Sequence, residues 1–341
     1  MNEIQIYDYI IGGSYQSFII MDACVNHNGD VETAKKLALE AKKNGANAIK
    51  YQLHLPDQEM LKDVPQSSNF DEPLYDFLKR VSLSPTDHKN IKDYCDKIGI
   101  HYMCTPFSLE AVDILDKLNL EVFKIGSGEM MSIPLLERVI ETGRPIIIST
   151  GMSEMSEIYD TVAYLKSKCA KFVLMNCTSL YPTPYENVNL NIIPYLKTMF
   201  RVPIGHSDHT IGIHTSVAAV AMGAKVIEKH FTLDKTQPGP DQIVSIEPHE
   251  LKMMVKQIRD IESGLYGEKY VLPNEKEIRK WAQESIVSMT DIPPDTVITK
   301  DMISMKRPGT GILSKYMRHI IGRTTRKHIT SDKIIQWSDL Y

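Results

Sequence analysis

Lys124-Ile-Gly126-Ser127-Gly128-Glu129 sets a cation, a hydroxyl, two glycines and a carboxylate in six residues, at the end of the short apolar run Val122-Phe-Lys-Ile. Glycine lacks Cβ and lets backbone approach a ligand closely. A lysine and a serine beside exposed backbone N–H groups suit a phosphate. A carboxylate does not, so Glu129 is expected to face something else. In isolation, a strand-to-helix turn with a stray lysine and glutamate accounts for the same residues. Lys50-x-Gln52, Ser149 and Ser207 stand at equivalent places after other apolar runs. With Lys124 and Ser127 they make a ring of ammonium groups and hydroxyls that would satisfy a phosphate and a carboxylate together. The rival account is two lysines whose stems lie on apolar strands while their charges reach water.

A second constellation is imidazole. His209 follows Ser207-Asp208, and His230 closes Lys225-Val-Ile-Glu-Lys-His. On neighbouring strands the two rings converge. Two histidines with positions left for water or a substrate oxygen describe a site for Mn²⁺, Fe²⁺, Co²⁺ or Zn²⁺. His27, in Asn26-His27-Asn28-Gly29, is either a third ligand or part of a capping loop, and His206 is left open. Pro182-Thr-Pro184 and Pro238-Gly-Pro-Asp241 are stiff loops. They carry Tyr181 and Asp241, which suit contact with a sugar. Arg307, in Lys306-Arg307-Pro-Gly, is a further candidate, against an exposed basic turn.

These groups need a frame that brings strand ends together. Phe18-Ile-Ile-Met reads as a strand buried on both faces, followed by a helix from Val31 to Lys43 that stops at Asn44-Gly45. The unit then recurs. Strands at Ala48–Gln52, Ile100–Thr105, Val122–Ile125, Pro145–Thr150, Phe172–Cys177, Val202–Gly205 and Lys225–His230 alternate with helices near 85–98, 108–118, 134–142, 154–168, 192–200, 212–222 and 248–262. That is the pattern of a (β/α)8 TIM barrel of about 250 residues, whose active site lies at the C-terminal strand ends. An open doubly wound sheet is the alternative. Residues 1–16 read as a β-hairpin appendage covering one end, 17–264 as the barrel, 265–284 as a polar linker with Pro273, and 285–341 as a small β-rich module. Such a module is marginal by itself and would lean on a partner surface.

Composition bounds the partners. A net charge of −4 leaves no basic footprint for nucleic acid. No apolar run approaches the roughly 20 residues that span a bilayer, and the acidic N-terminus shows no secretory signal. Cys24, Cys95, Cys104, Cys169 and Cys177 are scattered, which predicts reduced, buried thiols in a cytoplasmic protein.

Asn26–Gly29, Thr105-Pro-Phe-Ser108, Lys124–Glu129, Ser149-Thr-Gly-Met152, Tyr181-Pro-Thr-Pro-Tyr-Glu186, Ser207-Asp-His-Thr210, Glu228-x-His-Phe-Thr232, Pro238–Asp241 and Lys306-Arg-Pro-Gly309 occur in that order. Together they resemble the sialic acid synthase family, the phosphoenolpyruvate-dependent nonulosonate synthases, over about residues 17–341. The resemblance implies a TIM barrel joined to a SAF (antifreeze-like) domain, in a homodimer whose swapped small domain covers the partner's barrel mouth. It implies condensation of phosphoenolpyruvate with an open-chain N-acetylhexosamine, N-acetylmannosamine first, giving N-acetylneuraminate and phosphate with C–O cleavage. By the same resemblance Lys50, Lys124, Ser127, Ser149 and Ser207, with Gln52 nearby, hold phosphoenolpyruvate. His209 and His230 hold Mn²⁺, with Mg²⁺ or Co²⁺ as alternatives. Glu129, Tyr181 and Asp241 contact the sugar, Glu129 and Asp22 are the acid/base candidates beside Lys124, and Arg307 reaches from the other protomer.

Two departures stand out: Asp22 where many members have Glu, and Ser179 where they have Asn. They keep open a legionaminate or pseudaminate synthase using a 2,4-diacetamido-trideoxy hexose. A catalytically silent sugar-binding or spore-coat protein on the same fold is the reading from another class.

Overall fold

Alternation along the strands decides what the barrel holds. The structure, a computed structural model, describes residues 3–64 and 72–341. A hairpin of β1 (Ile4–Ile6) and β2 (Tyr9–Ile11) precedes eight parallel strands: β3 (Phe18–Cys24), β4 (Ala48–Leu53), β5 (His101–Pro106), β6 (Phe123–Ile125), β7 (Ile146–Ser149), β8 (Phe172–Cys177), β9 (Ile204–Asp208) and β10 (Val226–His230). They pair in chain order, and β10 closes on β3, making a TIM barrel. One face of the strands (Ile19, Met21, Ile49, Tyr51, Phe123, Ile148, Leu174, Ile227) packs outward against the helices. The other face begins apolar, with Phe18, Ile20, Ala48, Met103, Val122, Ile147, Val173 and Val226 packed on Ile4, Ile6 and Ile11 of the hairpin. Side chains alternate with period two. The next residues on that inner face are therefore Asp22, Lys50, Thr105, Lys124, Ser149 and Glu228, all buried. On six of the eight strands the barrel interior turns from hydrocarbon to polar or charged groups within one step.

The helices are α1 (Val31–Lys43), α2 (Pro56–Glu59), α3 (Leu74–Val81), α4 (Pro85–Ile98), α5 (Leu109–Lys117), α6 (Ile133–Glu141), α7 (Met155–Ser167), α8 (Ile192–Phe200), α9 (His214–Ala221) and α10 (Pro248–Gly264). Their ends follow local chemistry. Asp30 caps α1 by accepting from the Thr33 N–H, and Ser84 with Asp87 forms a capping box on α4. The long stretch over 54–84 between β4 and α4 contains α2 and α3, while 65–71 lie outside the described residues. On α3, Phe77, Leu78 and Val81 pack on Cys24 and Val25 above the barrel mouth.

The chain divides into two compact units, 1–266 and 267–341. The segment read as a linker carries a helix, α11 (Pro273–Ala282). Pro273 supplies the fixed φ of a first turn, and the Glu275 carboxylate accepts from the Leu272 N–H at 2.8 Å. The helix buries none of its side chains, so no apolar stripe announced it. The second unit pairs β11 (Ser285–Ser288) with β12 (Ile303–Lys306) around Ile286, Ile292, Ile298, Ile312, Ile329 and Ile335. Arg307 follows β12 and is exposed. Four cysteines are buried as expected, but Cys169 is exposed. Among the described residues no helix is long and apolar enough to cross a membrane.

Candidate active site

The strand ends open into a cavity of about 850 Å³. At its floor stand two cations and two carboxylates. Lys50 Nζ lies 2.8 Å from Asp22 Oδ2 and 3.6 Å from Glu228 Oε1. Lys124 Nζ lies 3.5 Å from the same Glu228 oxygen. It donates to Ser149 Oγ at 2.8 Å and to the Ile125 carbonyl at 3.1 Å. Ser207 Oγ donates to Glu228 Oε1 at 3.0 Å. Burial works against charge on Lys50, yet Asp22 and Glu228 outweigh it and hold the ammonium above its ordinary value. On Lys124 burial wins, helped by the Lys50 charge and opposed by Glu228, so this ammonium lies below the usual lysine range. Burial raises Asp22 and Glu228, but the lysines bring both net below the usual carboxylate range. The ring is thus internally neutralised, and an incoming anion competes with Glu228 and Asp22 for the lysines. Lys124, with the weaker hold, is the one set free more readily.

The loops after β6 and β7 form the next wall. Ser127 Oγ accepts from the Gly151 N–H at 3.0 Å. A Cβ on Gly151 would lie 2.7 Å from Ser127 Oγ and collide with Ser179 Oγ as well. Gly126 does the same service for Glu129, whose Oε2 would sit 2.5 Å from a Cβ there. Burial raises the Glu129 carboxyl above its usual range. Gly151→Ala is expected to raise KM for an anionic substrate about tenfold, by an overpacking cost of order 1–3 kcal/mol borne by the wall. Initial-rate kinetics beside a thermal melt check this. A fall in thermal stability with KM unchanged would contradict it.

Cys177 Sγ, 3.6 Å from Ser127 Oγ and 3.8 Å from His209 Nδ1, links this wall to the imidazoles of His209 and His230, whose ring centroids are 5.3 Å apart. His209 Nδ1 is 2.9 Å from the Thr178 carbonyl, which only accepts, so Nδ1 carries the proton. Nε2 then accepts from the Tyr181 hydroxyl at 3.0 Å. A fixed tautomer of this kind readies a metal ligand, once Tyr181 moves. His230 Nδ1 is buried and lacks a hydrogen-bond partner among the described residues. Both rings therefore fit a divalent cation. His230 also belongs to a buried group with Cys24 and Asp241, in which one donor atom from each lies within 4.8 Å of the others.

The matching families fall on the two units described. Residues 37–270 match the NeuB family and 283–340 the SAF domain. The chain belongs to the NeuB family. It is 39% identical to N,N'-diacetyllegionaminic acid synthase of Legionella pneumophila over 96% of each chain. It is 35% identical to human N-acetylneuraminate-9-phosphate synthase, covering 87% of this chain and 84% of that one. The solved N-acetylneuraminic acid synthetase of Leptospira borgpetersenii, in complex with citrate, superposes with a TM-score of 0.74 at 34% identity, covering 81% and 95% of the two chains. The protein is an enzyme of the nonulosonate synthase family.

In this NeuB-family barrel, Asp22, Lys50, Gln52, Lys124, Ser127, Glu129, Ser149, Tyr181, Ser207, His209, His230 and Asp241 all line one cavity. Arg307 belongs to the other unit. His206 and His27 do not line the cavity. Burial pulls His27 down to about 4, and its Nδ1 accepts from the Gly29 N–H, the arrangement of a capping loop. Asp208 and Lys229 face outward as a buried pair 3.3 Å apart, and Asp208 also ties down Thr210, Thr215 and Ser216 behind His209. Sequence reasoning missed Glu228, Cys24, His54 and Cys177 as site residues. Glu228 lies two before His230, so alternation already puts it inside. His54 holds Gln52 at 2.9 Å and Glu59 at 2.8 Å, a link no spacing announced. Burial raises the Cys177 thiol, but His209 and Ser127 outweigh it and bring it down to about 7.

Proposed function

We propose that this enzyme condenses phosphoenolpyruvate with an open-chain N-acetylated hexose and water, giving a nine-carbon 2-keto acid and phosphate. The observation that carries it is the pair of buried lysines on the floor, with a raised carboxyl, Glu129, on the facing wall. Lys50, Lys124, Ser127, Ser149 and Ser207 bind and orient the phosphate and carboxylate of phosphoenolpyruvate, with Gln52 at the edge. Glu129, Tyr181 and Asp241 face the sugar, and Arg307 comes from the second protomer of a swapped homodimer. A divalent cation on His209 and His230, Mn²⁺ by family resemblance, would supply Lewis-acid polarisation of the aldehyde oxygen.

Carbon 3 of phosphoenolpyruvate bonds to the aldehyde carbon, and positive charge develops at carbon 2. Water adds there and gives its proton to a carboxylate. Asp22 is a poor acceptor, because Lys50 holds it ionised and its Oδ1 already accepts from the Cys24 N–H at 3.0 Å. Glu129 is the better base, with an affinity for protons raised by burial. Cleavage of the bond between carbon 2 and the bridging oxygen then forms the ketone and releases phosphate onto the lysines, the carbon-2 hydroxyl proton leaving with the phosphate, while the proton taken by Glu129 passes to the alkoxide that the aldehyde oxygen became. Fixed placement of both reactants supplies much of the acceleration.

Met60, Leu74, Phe77 and Leu78 cluster together and give the cavity an apolar wall. That wall favours a 2,4-diacetamido-trideoxy hexose, whose carbon 6 is a methyl, as does the likeness to a legionaminic acid synthase. Gln52, Glu129 and Asp241, polar groups lining the same cavity, speak for N-acetylmannosamine. Burying one methyl against such a wall is worth of order 1 kcal/mol, so kcat/KM is expected to favour the diacetamido sugar by at least about fivefold. Phosphate release with each sugar decides between them. No release with any sugar aldehyde and any divalent metal sinks the synthase reading and leaves a silent binding protein. The scattered cysteines support a cytoplasmic setting for the reaction.

A further inference from the structure

We propose that His54 is a positioning residue: held as an imidazolium by Glu59, it turns the Gln52 amide so that its NH2 group faces the sugar. His54 Nδ1 lies 2.8 Å from Glu59 Oε1, and Nε2 lies 2.9 Å from Gln52 Oε1. Both oxygens only accept, so both ring nitrogens donate, and a ring that donates twice carries a positive charge. Glu59 supplies the countercharge, and the two side chains are only 9% and 4% exposed. Glu129, His27 and His88 also feel the His54 charge, but among the described residues Glu59 alone of the ionisable groups hydrogen-bonds to it.

The chain fixes each member of this link. Alternation carries the inner face of β4 from Lys50 to Gln52 and on to His54, and all three line the cavity. Glu59 ends α2, and its Oε2 accepts from the Leu55 N–H at 3.2 Å, so both carboxylate oxygens are engaged. Phe107 stacks on the His54 ring and sets its plane, with centroids 4.3 Å apart and planes 13° from parallel. Gln52 gives its carbonyl oxygen to His54, and its amide nitrogen donates to no described residue. Two donors are left for a ligand.

Height in the barrel decides which ligand. Lys50 and Lys124 hold the floor, where the anion binds. Gln52 stands one layer nearer the mouth, beside Thr105 in the register of β4 on β5. The layer above a floor-bound anion falls to the uncharged second substrate, whose hydroxyl and acyl oxygens accept hydrogen bonds. A neutral His54 would reverse the amide: Nε2 would accept from the NH2 group, and the carbonyl would face the sugar. Glu59 thus selects, through His54, a donor rather than an acceptor at this point of the wall. The kinetic consequence rests on the synthase reading above, whereas the charge on the ring does not.

Full-length protein labelled with ¹⁵N-histidine tests it by long-range proton–nitrogen NMR. Near neutral pH the two nitrogens of His54, assigned by their loss in His54→Phe, should resonate close together, as in an imidazolium. In Glu59→Gln they should move far apart. Gln52→Met, which removes the amide but keeps the bulk, is expected to raise KM for the sugar about three- to tenfold, with kcat and KM for phosphoenolpyruvate changed less than about twofold. His54→Phe keeps the stack on Phe107 and should match that effect. The double variant should be no worse than either single one, since the two residues act as a unit. Circular dichroism and thermal melts establish that each variant is folded. Should His54→Phe fail to fold, Gln52→Met and the spectra of wild type and Glu59→Gln still decide. A singly protonated ring in wild type, additive losses in the double variant, or equal rises of both KM values overturns the proposal. An imidazolium in a protein that releases no phosphate with any sugar overturns the synthase reading instead and leaves the link standing.

Discussion

Lys124→Met is expected to lower kcat/KM for phosphoenolpyruvate by about 10²–10³ while leaving the fold intact. Truncating one partner of a buried, hydrogen-bonded charge pair costs about 2–5 kcal/mol in binding. Lys124 is the ammonium less committed to a carboxylate, because it shares Glu228 with Lys50 and, among the described residues, otherwise donates to Ser149 and a carbonyl. After the substitution Glu228 keeps Lys50 at 3.6 Å and Ser207 at 3.0 Å, so no carboxylate is stranded. Lys50→Met should behave differently. It strips Asp22 of a partner at 2.8 Å, and stranding a buried charge of this kind costs about 3–5 kcal/mol of stability. Calorimetric titration with phosphoenolpyruvate and thermal melts of both variants separate a ligand-facing lysine from a structural one. Equal losses of stability in the two would contradict the assignment. The pH dependence has a definite sign as well. Burial lowers the Lys124 pKa, so its charge is lost as pH rises, earlier than for an ordinary lysine. KM for phosphoenolpyruvate should climb on the alkaline side in wild type and stay flat in Lys124→Met.

The frame of this site was legible because strands buried on both faces are continuous apolar runs and the helices carry conventional caps. Lys50, Lys124, Ser149 and Ser207 could be placed at strand mouths from those runs alone. Glu228 was within reach by alternation from His230, yet a ring pictured as cationic left no room for a carboxylate. The structure puts that carboxylate between the two lysines, which turns a pre-charged anion site into a neutral one that ligand must open. Cys24 lies two after Asp22 and was equally within reach by alternation, but what the sequence did not show is the register shift between them. The cover of α3 and the helix α11 escaped for opposite reasons. The first has a buried apolar face but sits in the long stretch 54–84, to which no element was assigned, and the second has no apolar face to read.

Glu129→Gln is expected to reduce kcat about 10²–10⁴-fold, the usual worth of a general acid or base, with phosphoenolpyruvate affinity nearly unchanged. Gln keeps the shape that Gly126 leaves room for but cannot take the proton of the attacking water. Lys124 and Ser127 are left unchanged by the substitution and are expected to bind phosphoenolpyruvate as before. That division is why an otherwise anion-directed turn carries a carboxylate. Burial raises the Glu129 pKa, so the ionised base forms at higher pH than for a free glutamate. In wild type kcat should rise with pH across that raised value, and the acidic limb should vanish in Glu129→Gln. Stability follows the same linkage. The folded state binds this proton more tightly than the unfolded chain, a contribution present below the unfolded pKa and lost as pH rises through the folded one. Near neutral pH, therefore, Glu129→Gln should melt at or above the wild-type temperature, while below pH 4 the two should converge. A variant that lost activity and stability together at neutral pH would make Glu129 a structural carboxylate and return the role of base to Asp22.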